Sequence, residues 1–364
     1  MRNEQENTKA LIDKLESLHT LSRAEFAEIL ACDDDYLFER ARCAAHKVYG
    51  KSIFMRGLIE FTNYCKNNCY YCGLRAENKK ARRYRLTKEQ ILECCKTGYP
   101  LGFRTFVLQG GEDVYYTDDI LADIVSEIKA AYPDCAVTLS VGERSYESYE
   151  RLFRAGADRY LLRHETANDA HYRTLHPDAM SSFNRKQCLR DLKKIGYQVG
   201  CGFMVGTPGQ TPEHIIDDLF FIKELQPHMA GIGPFIPHSD TPFRDKTAGD
   251  VRITLNILAI LRLMQPNLLI PATTALATLD AQGREQGILA GANVVMPNLS
   301  PVDVRTKYLL YDHKMCTGDE AAEYAAGMRN RIQRIGYEVA VSRGDCIDIS
   351  SHTINPSPGQ CHPA

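Results

Sequence analysis

The sequence predicts an α/β protein: a (β/α)8 barrel of the TIM type with an N-terminal helical extension and a C-terminal helical segment and tail. Three observations carry that prediction. Eight short apolar runs rich in Val, Ile and Leu recur from residue 53 to residue 296, separated by amphipathic stretches. Strand–helix alternation of this kind builds parallel βαβ units, and eight units in about 250 residues fill a closed barrel. No Gly-x-Gly-x-x-Gly follows the first run, which weakens an open doubly wound sheet as the alternative. The first run also ends in a loop with three cysteines, where a barrel carries its reactive groups.

The elements follow in order. Residues 1–50 read as a helical extension without chemistry of its own. Leu11, Leu15 and Leu18 recur at helical spacing. Ser22 and Glu25 form a capping-box pattern ahead of Phe26, Ile29 and Leu30, and a further helix covers 33–49. Residues 51–300 hold the barrel. Its runs are Ile53–Phe61, Thr105–Gln109, Ala136–Val141, Asp158–Arg163, Gln198–Val205, Met229–Ile236, Leu268–Ala272 and Ala292–Met296. The helical stretches between them are 87–99, 117–131, 145–155, 184–195, 211–225, 250–264 and 282–290. Residues 301–364 close the barrel. They add one more amphipathic helix at 319–335, then a proline-bearing tail at 350–364 with no periodicity.

Composition excludes several classes. A net charge of −2 over 364 residues argues against a nucleic-acid surface, which needs clustered excess Lys and Arg. The one basic cluster, Lys79 to Arg85, reads as a solvated face or a rim over an anionic ligand. No apolar stretch approaches the ~18 residues a membrane span needs, and the polar N-terminus is not a signal peptide. The 13 cysteines are odd in number and scattered, as reduced thiols in a cytoplasmic protein are.

Strand ends carry the candidate chemistry. Cys65, Cys69 and Cys72 follow the first run at CxxxCxxC spacing, with the aromatic Tyr71 just before the last. Three thiolates hold three corners of a cubane iron–sulfur cluster and leave one iron open for chemistry. Such a cluster is oxygen-sensitive and implies an anaerobic or reducing interior. A zinc site short of one ligand and three unrelated buried cysteines are the plainer readings of the same spacing. The second run ends in Gln109-Gly110-Gly111-Glu112, where two glycines admit a ligand or a backbone closely. The fourth ends in Arg163-His164-Glu165. That charged pair makes either a salt bridge across the barrel mouth or a carboxylate for a ligand ammonium or ribose. Arg185 opens the next helix and suits a ligand carboxylate. Glycines flank Met204 on the fifth run and free one face for a flat ligand. Thr273 and Thr274 end the seventh. His164 and His238 read as satisfied surface histidines and not as metal ligands.

These motifs together resemble the radical S-adenosylmethionine (SAM) superfamily. Within it, Tyr70–Arg75, Val107–Asp113, Leu162–Asn168, Met204–Thr211, Gly231–His238 and Pro271–Ala275 resemble the [FeFe]-hydrogenase maturase HydE family, a relative of biotin synthase and methylornithine synthase. The resemblance implies that Cys65, Cys69 and Cys72 ligate a [4Fe-4S] cluster. It implies that Tyr71, Gln109, Gly110, Gly111, Glu112, Arg163, Glu165, Arg185 and Met204 hold SAM. Thr273, Thr274, Arg305 and Tyr308 are similar to residues lining the substrate end of that family's cavity. The implied activity is reductive cleavage of SAM during assembly of the dithiomethylamine-bridged diiron site of [FeFe]-hydrogenase. The implied partners are a small organometallic or amino-acid-derived substrate, other hydrogenase maturases, and a reductant such as ferredoxin or flavodoxin. Some members carry a second cluster on three C-terminal cysteines. Here only Cys316 matches, since Tyr324 and Gly327 stand at the later positions and Cys346 and Cys361 do not restore the spacing, so no second cluster is expected. Two other readings stand beside this one: a radical SAM mutase or sulfur-inserting enzyme, and a non-catalytic iron–sulfur scaffold.

Overall fold

The computed structural model describes residues 2–315 and 321–348; the Cys316 position, Cys361 and the tail at 350–364 lie outside the described residues. Among the described residues eleven strands are present: β1 (Ser52–Met55), β2 (Gly57–Thr62), β3 (Thr105–Gly110), β4 (Ala136–Ser140), β5 (Arg159–Leu161), β6 (Gln198–Cys201), β7 (Met204–Val205), β8 (Met229–Ala230), β9 (Gly233–Pro234), β10 (Val294–Val295) and β11 (Glu338–Ala340). β2, β3, β4, β5, β6 and β8 form one parallel sheet in that order. Backbone hydrogen bonds close it into a barrel. The Ala230 N–H donates to Leu269 O (3.0 Å), Ala272 N–H to Val294 O (2.9 Å) and Leu58 N–H to Pro297 O (2.8 Å).

The predicted runs and the observed strands differ where the backbone approaches itself. The first run is two strands, β1 and β2, with Arg56 between them. β1 pairs on one side with β10 and on the other with β11, a short strand outside the eight apolar runs. The fifth run breaks at Gly202, where a Cβ would stand 2.1 Å from Gly231 O. The seventh makes only single bridges at Leu269 and Pro271, because Pro271 has no N–H to extend a ladder.

Helices lie close to their predicted bounds: Lys88–Gly98, Asp118–Ala131, Tyr146–Arg154, Ser182–Ile195, Pro212–Leu225, Val251–Met264 and Gly283–Leu289. Val251–Met264 is buried along its whole length from Thr254. A helix apolar on every face needs cover on both sides. The N-terminal helices Arg2–Leu18, Arg23–Leu30 and Tyr36–Tyr49 supply it. Asn256 Nδ2 fixes them by donating to Leu30 O (3.0 Å) and Cys32 O (2.9 Å). The Ser22–Glu25 capping box is present. At the other end of the chain, Glu338–Asp348 seals the base of the barrel. Arg159 pairs there with Asp345 at 2.6 Å, and Asn267 Nδ2 donates to Ile347 O.

His164 and His238 are buried, not at the surface. His164 Nε2 donates to Asp218 Oδ1 (3.2 Å), on helix Pro212–Leu225, and its Nδ1 accepts from Gly202 N–H. Burial lowers the His164 pKa from 6.5 to about 3. The unfolded imidazole therefore takes up a proton near pH 6.5, whereas the folded one resists. Its contribution to stability is complete above pH 6.5 and is lost as pH falls towards 3, at up to about 1.4 kcal/mol per pH unit. Urea unfolding at pH 7.5 and 5.0 should show that loss. A His164→Gln variant should show a shallower pH slope, and an unchanged slope would rule out a neutral buried imidazole.

Candidate active site

The cysteine loop leaves β2 with almost no regular structure, so its backbone groups need other partners. Arg83 supplies many of them. Its guanidinium donates to the carbonyls of Asn63, Leu74 (2.9 Å), Arg75 (2.7 Å) and Asn78 (3.2 Å). The Tyr70 N–H donates to Leu175 O, and the Gly73 N–H donates to Leu310 O. Within the basic cluster Arg83 is thus structural, whereas Lys79, Lys80, Arg82 and Arg85 are exposed, as a solvated face requires. Arg85 makes a bidentate pair with Asp113 at 2.7 and 2.9 Å, and Lys80 pairs with Asp240. Gly111 lies against the loop, where a Cβ would stand 2.2 Å from Tyr64 O and 2.7 Å from Cys65 Cβ.

Cys65, Cys69 and Cys72 all face one cavity of about 350 Å³ at the C-terminal mouth of the barrel. Burial raises all three thiols, Cys72 to about 12, and they interact electrostatically with one another. A bound metal's charge is what converts such thiols to thiolates. Among the described residues, no three His, Cys, Asp or Glu side chains converge closely enough for a single ion. Three thiols on one wall of one cavity fit three corners of a multi-iron cubane.

The same cavity is walled by Tyr71, Gln109, Gly110, Gly111, Glu112, Arg163, Glu165, Arg185, Met204, Thr273, Thr274 and Tyr308. Arg305 is not on that wall. It is buried, and its Nε donates to Ser300 O (2.7 Å). Tyr71 OH meets His176 Nε2 at 3.2 Å, and burial holds His176 neutral with a pKa of about 3. Glu165 adopts φ 66°, a left-handed conformation that costs a non-glycine residue about 1–2 kcal/mol. That strain turns its carboxylate into the cavity beside Arg163, 3.5 Å away. Arg185 sits between Glu143 (2.6 Å) and Glu112 (3.8 Å). Burial opposes its charge, but those carboxylates and Tyr172 outweigh burial and raise its pKa.

Several buried polar atoms on this rim have no hydrogen-bond partner among the described residues. They are Nε and Nη2 of Arg163, Oε2 of Glu165, Nε of Arg185 and Oε1 of Glu143. The last two are close but misaligned. Leaving such groups unmet costs about 1–3 kcal/mol each. Cationic donors beside anionic acceptors fit the zwitterionic amino-acid end of SAM.

Two groups on the far wall were not singled out from sequence. Glu60 and Lys314 form a buried ion pair there. Asn298 Nδ2 donates to Glu60 Oε2 (2.8 Å), and Lys314 Nζ donates to Tyr308 O (2.9 Å). Glu60 has a visible signal, a carboxylate inside the apolar run Ile53–Phe61. Lys314 and Glu143 have none, because each acquires its role only through distant partners.

A sequence profile of the Radical SAM superfamily matches residues 59–222. The [FeFe] hydrogenase maturase subunit HydE of Thermotoga maritima is 46% identical over 88% of this chain and 94% of that protein. The 3-methylornithine synthase of Methanosarcina barkeri is 33% identical over 80% of this chain and 83% of that protein. The crystal structure of methylornithine synthase superposes with a TM-score of 0.81 at 28% identity, covering 91% of this chain and 97% of that one.

Because Gly111 admits the cysteine loop, a Gly111→Ala variant should retain less than half of the iron bound by the wild type after anaerobic reconstitution. Gly327→Ala, where no atom lies within 4 Å of the added Cβ, is the control and should match the wild type. Equal iron in both variants would remove Gly111 from the loop's support.

Proposed function

This chain belongs to the HydE family of [FeFe]-hydrogenase maturases within the radical SAM superfamily, and from that membership we propose that it cleaves SAM reductively to help assemble the dithiomethylamine-bridged diiron site of [FeFe]-hydrogenase. The observation that carries the proposal is one cavity with a three-thiol loop on one wall and, at its rim, a strained carboxylate and two guanidinium groups whose Nε atoms lack an aligned hydrogen bond among the described residues. When bound, a [4Fe-4S] cluster and SAM supply one-electron cleavage of the sulfonium to methionine and a 5′-deoxyadenosyl radical.

The chain's own residues bind, orient and confine. Cys65, Cys69 and Cys72 would hold the cluster. Gly110, Gly111 and Glu112 would meet the amino end of SAM, and Arg185 its carboxylate. Glu165 and Arg163 would fix the ribose or ammonium, with Tyr71 beside the last cysteine and Met204 against the base. Gln109 spans towards the far wall, its Nε2 donating to Tyr308 OH at 3.4 Å. Thr273, Thr274, Tyr308, Lys314 and Glu60 would receive a small cysteine-bound iron carbonyl cyanide substrate delivered by another maturase. Arg305 would act only by supporting the Ser300 turn. One cluster per chain belongs to the same proposal, since Cys346 lies at the barrel base, where its thiol donates to Asn267 O. The 33% identity to 3-methylornithine synthase supports an amino-acid-derived substrate as the second reading.

Reconstituted enzyme with dithionite should form 5′-deoxyadenosine, and its absence would leave only a scaffold. Glu165→Gln should weaken SAM binding roughly 10–100-fold, the weight of one charged hydrogen bond. Iron clearly above one cubane per chain would reject the single cluster. Removing one partner of the buried pair strands the other charge at about 3–5 kcal/mol. The double variant Glu60→Gln/Lys314→Met avoids this and should cleave SAM yet support little hydrogenase activation. Deleting the gene in an [FeFe]-hydrogenase producer should abolish hydrogen evolution. Normal evolution after deletion would overturn the maturase assignment.

A further inference from the structure

Charge is placed unevenly along this chain. Residues 64–85, the cysteine loop and the segment after it, hold seven Lys or Arg and one acidic residue, Glu77, whereas the whole chain has a net charge of −2. Glu77 is met within that segment by Arg75 at 2.8 Å. Lys66, Lys79, Lys80, Arg82 and Arg85 are exposed. Lys66 and Arg85 pair with Glu112 and Asp113. Among the described residues Lys79 and Arg82 meet no carboxylate, and Lys79 Nζ donates to Ala76 O (3.4 Å).

The same segment packs on the outer side of the thiol loop. Asn63, two residues before Cys65, donates through Nδ2 to Arg82 O (2.9 Å). The Arg85 guanidinium sits over both the Tyr64 and the Tyr115 rings, at 3.8 and 4.8 Å. Tyr64 precedes Cys65 in the chain and Lys66 follows it. Next to Arg85, Tyr115 is 54% exposed and its neighbour Val114 is 77% exposed. A merely solvated basic face has no use for large apolar groups held in water. Exposed apolar side chains beside Arg and Tyr, with cations around them, are the make-up of a protein interface for an acidic partner.

We propose that this face docks an acidic one-electron donor protein, which reduces the cluster through the loop from Tyr64 to Cys72. The inference rests on the radical SAM reading and adds to it the place where the electron enters. One electron leaves the donor, which is oxidised, and enters the cluster, which is reduced; no atom or proton is exchanged. Cys65, Cys69 and Cys72 face the cavity on their inner side. Donor and substrate therefore approach the cluster from opposite sides and do not compete for one entrance.

A reduced flavodoxin of acidic charge is the probe, and dithionite is the reference reductant. Reconstituted enzyme without SAM is mixed anaerobically with each, and the loss of the cluster's visible absorbance gives a second-order rate constant. The variant Lys79→Glu/Arg82→Glu should lower the flavodoxin rate constant roughly tenfold or more at an ionic strength of about 0.01 M, where charges are felt over about 30 Å. At about 1 M, where that reach shrinks to about 3 Å, it should approach the wild type. Iron content and dithionite reduction should be unchanged. Lys194→Glu/Arg334→Glu makes the same change of charge in the last turns of two other helices and should match the wild type. Val114→Glu, at a largely exposed position, should also slow reduction by flavodoxin and leave dithionite unaffected. Equal flavodoxin rates in the wild type and the Lys79/Arg82 variant would overturn the proposal. An equal loss with dithionite would overturn it too, by making the two cations structural. So would unchanged flavodoxin rates with hydrogenase activation lost, which would give the face to another acidic partner. If the reduced enzyme forms no 5′-deoxyadenosine, the maturase reading fails, while the rates of cluster reduction still decide the docking face.

Discussion

One guanidinium holds the reactive loop in shape. Residues between β2 and the first barrel helix make almost no ladder or helix bonds of their own, so their carbonyls depend on Arg83, which reaches four of them. Backbone acceptors carry no charge. The cation can therefore organise the loop without neutralising the thiols, and burial weighs against its charge more than Cys65 and Cys72 support it. The loop is then tied outward to helix Asp169–Leu175 through Leu175 O and to the far wall through Leu310 O. The thiol wall and the far wall of the cavity are thus one hydrogen-bonded unit.

The barrel interior has two polar ends with an apolar waist. At the mouth, Arg163, Glu165, Arg185 and the Glu60–Lys314 pair face the large cavity. At the base, Arg56, Arg159 and Arg343 crowd around Asp345 and Asp158. Leu161, Met229 and Leu58 separate them. Burying charge at both ends costs several kcal/mol per ion before pairing. The large aliphatic and aromatic core between barrel and helices offsets it.

Much of this was legible in the sequence because periodicity reports burial. Bounds of the barrel helices fell within a residue or two of prediction, and capping residues such as Thr87 and Thr117 mark their starts. The eight-fold alternation gave the barrel. Less legible were the features made by distant partners. Gly202 against Gly231 breaks a strand, and Pro271 interrupts another. Arg305 carries the charge expected of a cavity residue but points to Ser300, while Lys314, nine residues on, reaches the cavity. His164 looks like a surface residue in a polar motif and is buried against Asp218. Cluster spacing is local and therefore readable; the second carboxylate around Arg185, from Glu143, is not.

The cover on helix Val251–Met264 sets a timetable. Asn256 bonds to Cys32 across 224 residues of chain. At roughly 5–20 residues per second of synthesis, the first three helices wait about 10–45 s for the surface they cap. Phe26, Ile29 and Leu30, all buried in the finished protein, stay in water for that interval. Non-local contacts of this kind slow folding and expose apolar surface to aggregation. These three helices are thus seated long after they are made, and chaperone demand falls on them.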